Sequence, residues 1–304
     1  MFIINNRKLF FTLTGIIALA SISAIALFGL HLSIDFTGGT LVQVTYPAGR
    51  PAQAALQSAL NADGYKDYSL RAVSTNDYVL QAQNISTAER NNLTPTFSLS
   101  NAYPVTVDEL NDIGPTIGLE LRNKSIFAMT LVLVCILLFI AFAFRKVSKP
   151  ISSWNYGAMA IVGLINNVIV TTGFYALLGH VNGAQVDTLF VTAVLTVLGF
   201  SIHDTIVVFD RVRENLRVNQ EQNRKEDFAL TAGRSLNQTF VRSINTSLTV
   251  VFTLFVLYLI GPVSTQDFAL TLLVGIIAGT YSSLFLATPL LVEIEKSRRS
   301  AKSK

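Results

Sequence analysis

Thr188-Leu189-Phe190-Val191-Thr192-Ala193-Val194-Leu195-Thr196-Val197-Leu198-Gly199-Phe200-Ser201-Ile202-His203-Asp204-Thr205-Ile206-Val207-Val208-Phe209 is apolar almost throughout, with one histidine and one aspartate toward its far end. A helix crossing about 30 Å of hydrocarbon needs roughly 20 such residues, and this run supplies them. Five further stretches do the same, at residues 9–30, 125–144, 157–178, 243–260 and 268–292. In chain order the quoted run is the fourth of six spans. A buried core helix of a water-soluble domain would hardly recur six times. The first stretch follows Arg7 and Lys8 as a signal peptide would. It is longer than a signal core of about 7–15 residues, and no Ala-x-Ala pattern follows Leu30, so it reads as a retained anchor.

The composition agrees. Of 304 residues 51% are hydrophobic and 14% charged, and the mean hydropathy is +0.48. Soluble domains carry about 25% charged residues, so a soluble enzyme is excluded as a class. Cys135 is the single cysteine, which leaves neither a disulfide nor a Cys-based zinc site within the chain. His31, His180 and His203 are far apart and lack the His-x-x-x-His spacing of a helical metal site, so no metal is expected. There is no Walker A pattern, so ATP is not the direct energy source, and no organic cofactor is implied.

The basic residues set the orientation, because Lys and Arg gather on the cytoplasmic side of membrane spans. Arg7 and Lys8 precede span 1; Arg145, Lys146 and Lys149 lie between spans 2 and 3; Arg211, Arg213, Arg217, Arg224, Lys225 and Arg234 lie in the loop 210–242 between spans 4 and 5. Lys296, Arg298, Arg299, Lys302 and Lys304 crowd the tail 293–304. The loops 179–187 and 261–267 carry no Lys or Arg. Both termini are therefore expected in the cytoplasm. The pI of 9.2 then reflects orientation and attraction to anionic lipid head groups rather than nucleic-acid binding.

This orientation leaves residues 31–124, about 90 residues, outside the cytoplasm, the length of a small domain. Residues 40–46 alternate as a strand, 51–62 read as an Ala-rich helix, and 68–73 and 78–82 read as strands. This β-α-β-β order suits a small α+β sheet domain with helices on one face. Residues 115–123 then lead into span 2 as a helix with Pro115 in its first turn. The expected fold is thus an α-helical polytopic membrane protein, with transmembrane helix 1 in residues 1–30, the extracytoplasmic domain in 31–124, and helices 2 to 6 in 125–292. Residues 226–238 are expected to form a separate amphipathic helix along the cytoplasmic interface.

An ionisable group within a span is costly, by roughly 2.5–3.5 kcal/mol at mid-helix, and calls for a function or a partner. Asp204 is such a group, about two turns inside the end marked by Asp210 and Arg211, with Ser201 and Thr205 beside it and His203 about 100° around the helix. Arg242 at the start of span 5 offers a counter-charge, and Asn245, Thr246 and Thr249 continue a polar stripe. Two readings stand together. Asp204 and Arg242 form a proton relay, with His203, Ser201, Thr205, Asn245 and Thr249 as lesser members, or they form a static ion pair that fixes helix register. Asn166 and Asn167 suit interhelical hydrogen bonds, and Gly275, Ala278, Gly279, Ser282 and Ser283 suit close helix packing.

Three stretches together resemble the SecF family of protein-export membrane subunits, within the SecD/SecF family. They are Asp35-Phe36-Thr37-Gly38-Gly39-Thr40 after span 1, Ile113-Gly114-Pro115-Thr116-Ile117-Gly118-Leu119-Glu120-Leu121 before span 2, and the block from Val197 to Asn215. The resemblance covers essentially the whole chain. It implies a half-transporter of the resistance-nodulation-division superfamily in a bacterial inner membrane, with residues 31–124 periplasmic. It further implies pairing with SecD and association with the SecYEG channel, with YajC and YidC as additional partners and unfolded preproteins as substrates. The coupling ion would be the proton, with no cofactor and no enzymatic reaction. Asp204 falls on the family's membrane carboxylate and Arg242 on its membrane arginine, while His203 stands where the family commonly has Asn. Asp35, Phe36, Gly38, Gly39 and Thr40 form its motif after span 1, which reads as a hinge or docking element, the glycines relieving backbone restriction. A small-molecule or lipid exporter of the same superfamily, or a non-transporting assembly subunit, are the rival readings.

Overall fold

The computed structural model describes residues 2–65, 68–73, 75–82, 85, 87–143 and 151–302. The expected cytoplasmic charges Arg145, Lys146, Lys149 and Lys304 lie outside the described residues. Two compact units emerge. One holds Met1–Leu30, Ala128–Ala184 and Leu189–Lys304, the other His31–Phe127 with Gln185–Thr188.

The first unit is helical. A short α1 (Phe2–Asn5) leads into α2 (Arg7–Phe28), which is span 1. Spans 2 to 5 are α6 (Pro115–Ala143), α7 (Ser153–Asn182), α8 (Thr188–Glu221) and α9 (Phe228–Ile260). Span 6 runs through α10 (Val263–Ser282), a π-helical turn (Ser283–Ala287) and α11 (Thr288–Lys302). Among the described residues six helices are thus long and apolar enough to cross a membrane. The π turn has a local cause. Pro289 has no N–H for the carbonyl of Phe285 and its ring crowds that carbonyl, so the helix widens just ahead of it.

One expectation is corrected. Residues 226–238 do not form a separate interfacial helix, since Phe228 onward is the beginning of α9 itself. No Gly or Pro separates Gln238 from Ser243, and the polar face of this stretch is held against α8. Asn215 Nδ2 donates to Ser235 Oγ at 2.7 Å and to Gln238 Oε1 at 2.9 Å, and Asn219 Nδ2 donates to Thr231 Oγ1 at 3.1 Å.

Small residues bring the spans together. A Cβ on Gly173 of α7 would lie 2.5 Å from the Cα of Ser21 on α2, and one on Gly279 of α10 would lie 2.9 Å from Ser201 Cβ on α8. Gly275, one turn before Gly279, faces Val197 and Thr171. The packing role expected of the span 6 glycines is therefore what they perform.

The second unit opens with α3 (Ile34–Thr37) and then follows β1 (Gly39–Thr45), α4 (Gln53–Ala62), β2 (Tyr68–Ala72), β3 (Asp77–Ala82), α5 (Thr87–Phe97) and β4 (Thr106–Ile113). The sheet order is β2-β3-β1-β4, antiparallel throughout, which is the split β-α-β-β-α-β arrangement. The sequence reading found β1, α4, β2 and β3 and missed the short α3, α5 and β4. Pro95 inside α5 and its polar composition hide the helical period, and β4 is an edge strand exposed along most of its length, so it carries no burial pattern. Val42, Val44 and Tyr46 from β1 pack with Leu56 and Leu60 of α4, Leu80 of β3, and Leu93 and Phe97 of α5 into one core.

Candidate functional site

Asp204 sits in α8 with 2% of its surface exposed. Ser247 Oγ of α9 donates to Asp204 Oδ2 at 3.2 Å, and the hydroxyls of Ser247 and Thr280 on α10 are 2.5 Å apart. One turn away, Thr205 Oγ1 and Ser283 Oγ lie 2.8 Å apart, where Ser283 is the first residue of the π turn. Ser283 Oγ also donates to the carbonyl of Ser201 at 3.2 Å, and Asn167 Nδ2 of α7 donates to Ser201 Oγ at 2.6 Å. Two polar groups thus lie in the packed interior, Asn167, Ser201, Thr205 and Ser283 joining α7, α8 and the π turn, and Asp204, Ser247 and Thr280 joining α8, α9 and α10. Asn167 Oδ1, Thr171 Oγ1 and Ser243 Oγ are buried in the same interior without a hydrogen-bond partner, so the cluster retains capacity for further polar contacts.

The expected counter-charge is elsewhere. Among the described residues no ion pair joins Arg242 to Asp204, and Arg242 is exposed. The reason is helical phase: α9 turns Ser243 and Ser247, one turn apart, into the bundle, and Arg242 stands about 100° from Ser243. Asn245 and Thr249 are exposed with Arg242, and the Thr249 hydroxyl donates to the carbonyl of Asn245 at 2.8 Å. His203 is exposed as well. Of the expected relay members, Ser201 and Thr205 are buried with Asp204, whereas His203, Arg242, Asn245 and Thr249 face outward from this chain. Ser247, Thr280, Ser283 and Asn167 complete the cluster. The sequence signal for Ser247 was its position one turn after Ser243, on a face different from that of the Arg242 stripe.

Far along the chain from this cluster, the second unit assembles the other singled-out motif. Ser33 caps α3, its side chain accepting from the amide of Asp35 at 3.1 Å. Asp35 Oδ2 accepts from both the amide and the hydroxyl of Thr188, each at 2.9 Å. Two backbone bonds run alongside, from Ser33 N to Val186 O at 2.9 Å and from Val186 N to His31 O at 2.7 Å. Gly38 has φ of +75°, and a Cβ there would lie 2.7 Å from Pro115 Cα; one on Gly118 would lie 2.8 Å from Gly38 N and 3.1 Å from the carbonyl carbon of Phe36. The motif after span 1 therefore packs directly against the motif before span 2. Thr40, 1% exposed, donates to Asp112 Oδ1 at 2.9 Å, and Arg90 Nη2 donates to Asp112 Oδ2 at 2.7 Å. Those two hydrogen bonds, Arg90 first, hold the Asp112 carboxyl below the ordinary carboxylate range.

Among the described residues no group of His, Cys, Asp and Glu could hold a metal ion. An apolar cavity of about 270 Å³ lies in the helical unit between α2, α7 and α10, lined by Thr14, Ile17, Asn166, Val170, Ile277 and Tyr281.

Comparison with known proteins converges on one family. Residues 97–297 match the model of the C-terminal part of protein export membrane proteins SecD/SecF, and residues 23–46 match the SecD/SecF GG motif. The protein translocase subunit SecF of Thermobaculum terrenum is 40% identical over 307 residues, covering 96% of this chain and 93% of that protein. SecF of Anaerolinea thermophila is 37% identical, covering 95% and 92%. The crystal structure of SecDF from Thermus thermophilus, a translocon-associated membrane protein, superimposes with a TM-score of 0.83 at 29% identity. The match takes in 96% of this chain and 38% of the longer SecDF chain. A SecDF structure in a super-membrane-facing form matches with a TM-score of 0.69.

Proposed function

From the premise that this chain belongs to the SecD/SecF family of protein-export membrane proteins, as a SecF-type translocase subunit, we propose that Asp204 is its proton-carrying group. The observation that carries the reading is the hydroxyl setting of the carboxyl group. A hydroxyl can donate to a carboxylate and accept from a carboxylic acid. Ser247 and Thr280, already in hydrogen-bond range of each other, can therefore serve Asp204 in either protonation state. A fixed Arg partner would favour one state only. The buried atoms without partners on Asn167, Thr171 and Ser243 extend the set of groups through which a proton can approach.

The second part of the proposal is the assembly. Outward-facing His203, Arg242, Asn245 and Thr249 are costly against lipid and suit a polar partner within the membrane. We infer that a SecD-type half covers this surface, supported by the SecDF chain into which this fold fits as 38% of the length. The paired unit joins the SecYEG channel in the bacterial cytoplasmic membrane, with both termini cytoplasmic and the sheet domain outside, and acts on unfolded preproteins. Moving one charge through 100 mV supplies about 2.3 kcal/mol, enough to bias a conformational equilibrium and far too little to unfold a stable domain. Promoting the release of an already unfolded chain is the task that matches this energy.

Preprotein release from vesicles containing this chain, a SecD-type partner and the channel tests the reading. With a proton gradient imposed, Asp204→Asn is expected to assemble normally and to lose the gradient-dependent increment while keeping ATP-driven translocation. Retention of the full increment would overturn the assignment. A response to a sodium gradient in place of a proton gradient would overturn the choice of ion.

A further inference from the structure

The bond from Asp35 to Thr188 joins residues 153 apart in sequence, and it falls on the first residue of the helix that carries Asp204. The first amides of a helix have no partner within the helix and carry the positive end of its dipole, so a carboxylate is the natural acceptor there. Thr188 supplies both its amide and its hydroxyl to one carboxylate oxygen. The attachment does not rest on that group alone. Leu32 and Val186 form a parallel bridge through the two backbone bonds with His31 and Ser33. On the other side of the same motif, Gly38 and Gly118 admit no Cβ, so the first turn of α6 lies in direct backbone contact with residues 36–38. The exit from span 1, the entry to span 2 and the entry to span 4 therefore converge on one turn of chain.

We propose that Asp35 is a positioning residue for export: its bond to Thr188 fastens the outer end of span 4 to the sheet domain, so that displacement of span 4 is transmitted to that domain. This rests on the proton-driven reading above. It assigns a mechanical task to the acidic residue of the motif, which lies three residues before Gly38, where the backbone turns against Pro115. Span 4 then links the proton-carrying carboxyl to the outside without a separate relay of side chains.

The test uses the complete assembly in vesicles and compares Asp35→Ala, Asp35→Asn and Thr188→Val with wild type and with Asp204→Asn. Loss of a helix cap shifts a local equilibrium by a factor of about 5, so Asp35→Ala is expected to lower the gradient-dependent increment about fivefold or more. ATP-driven translocation should stay within about twofold of wild type. Asp35→Asn keeps an acceptor oxygen and should restore most of the increment; Thr188→Val keeps the amide and should fall between. Amide hydrogen exchange of residues 185–192 in the intact complex gives a second readout, and should quicken in Asp35→Ala but not in Asp204→Asn. An assembled Asp35→Ala complex with an unchanged increment and unchanged exchange overturns the link while leaving Asp204 in place. Loss of the increment in Asp35→Ala together with a normal Asp204→Asn keeps the link and overturns the proton site instead. If Asp35→Ala fails to assemble, Asp35→Asn and Thr188→Val decide: full activity with unaltered exchange in both overturns the link.

Discussion

Close approach of α2 to α7 sets the backbone of one helix against that of the other, and substitutions of glycine by alanine measure it. At Gly173 the added Cβ would fall 2.4 Å from Ser21 Cβ, 2.5 Å from Ser21 Cα and 2.7 Å from Ser21 O. Favourable carbon contacts lie at about 3.5–4.0 Å, so the two helices must part locally by about 1 Å. Backbone atoms are the obstacle, so no side-chain rotation relieves it. Overpacking of this kind costs about 1–3 kcal/mol and occasionally more, and Gly173→Ala should sit at the upper end. Gly279→Ala meets the Cβ of Ser201 at 2.9 Å and should cost less. Gly15→Ala, on α2 but with nothing within 4 Å, should be neutral or gain up to about 1 kcal/mol from helix propensity. The assay is an SDS-unfolding titration of the purified chain in mild detergent, with the expected order Gly15→Ala, wild type, Gly279→Ala, Gly173→Ala from most to least stable. A Gly173→Ala midpoint equal to that of Gly15→Ala would refute the close approach. Gly279→Ala carries an added expectation for export, because the displaced Ser201 is hydrogen-bonded to Asn167 within the Asp204 cluster.

Two further predictions concern the sheet domain. Tyr46 is fully buried and its hydroxyl donates to the carbonyl of Phe97 at 2.9 Å; burial, and then the neighbouring Tyr78, push its phenol well above the usual tyrosine range. Tyr46→Phe leaves that carbonyl unpaired and should destabilise the domain by about 1–3 kcal/mol, read as faster amide exchange across β1 and α5 in the full chain. Asp112 has a folded-state pKa below its unfolded value, so its contribution is present above about pH 4 and is lost as the pH falls through the folded value. The Asp112 side chain is 54% exposed, which limits the effect to a few tenths of a kcal/mol after solvent screening. Asp112→Asn should therefore differ slightly from wild type in thermal melts at pH 6 and converge on it as the pH falls through the folded value.

Much of the architecture was legible because a membrane span and an alternating strand are local patterns. The six apolar runs, Pro115 at the head of α6, and the β-α-β-β succession each follow from residues adjacent in sequence. α5 and β4 were not legible: Pro95 and the asparagines of α5 mask its period, and β4 pairs on one side only. At the site, Asp204 stands out because a carboxyl group in hydrocarbon demands an explanation wherever it points. Its partners do not stand out. Ser247 and Thr280 are ordinary helix residues that become significant only when α9 and α10 are brought against α8.

The sequence by itself determined that this chain has runs long and apolar enough to cross a membrane, and which carboxyl group inside a span needs a function. Tertiary structure alone decided that Ser247 and Thr280, rather than Arg242, meet that group, and that the Asp35 carboxylate accepts from Thr188 at the start of the helix that carries it. The first outcome depends on helix rotation and the second on a meeting of residues 153 apart in the chain. A step of one residue turns a side chain by about 100°, so neighbours such as Arg242 and Ser243 face different surroundings, and only packing between helices distant in sequence selects which of them points inward.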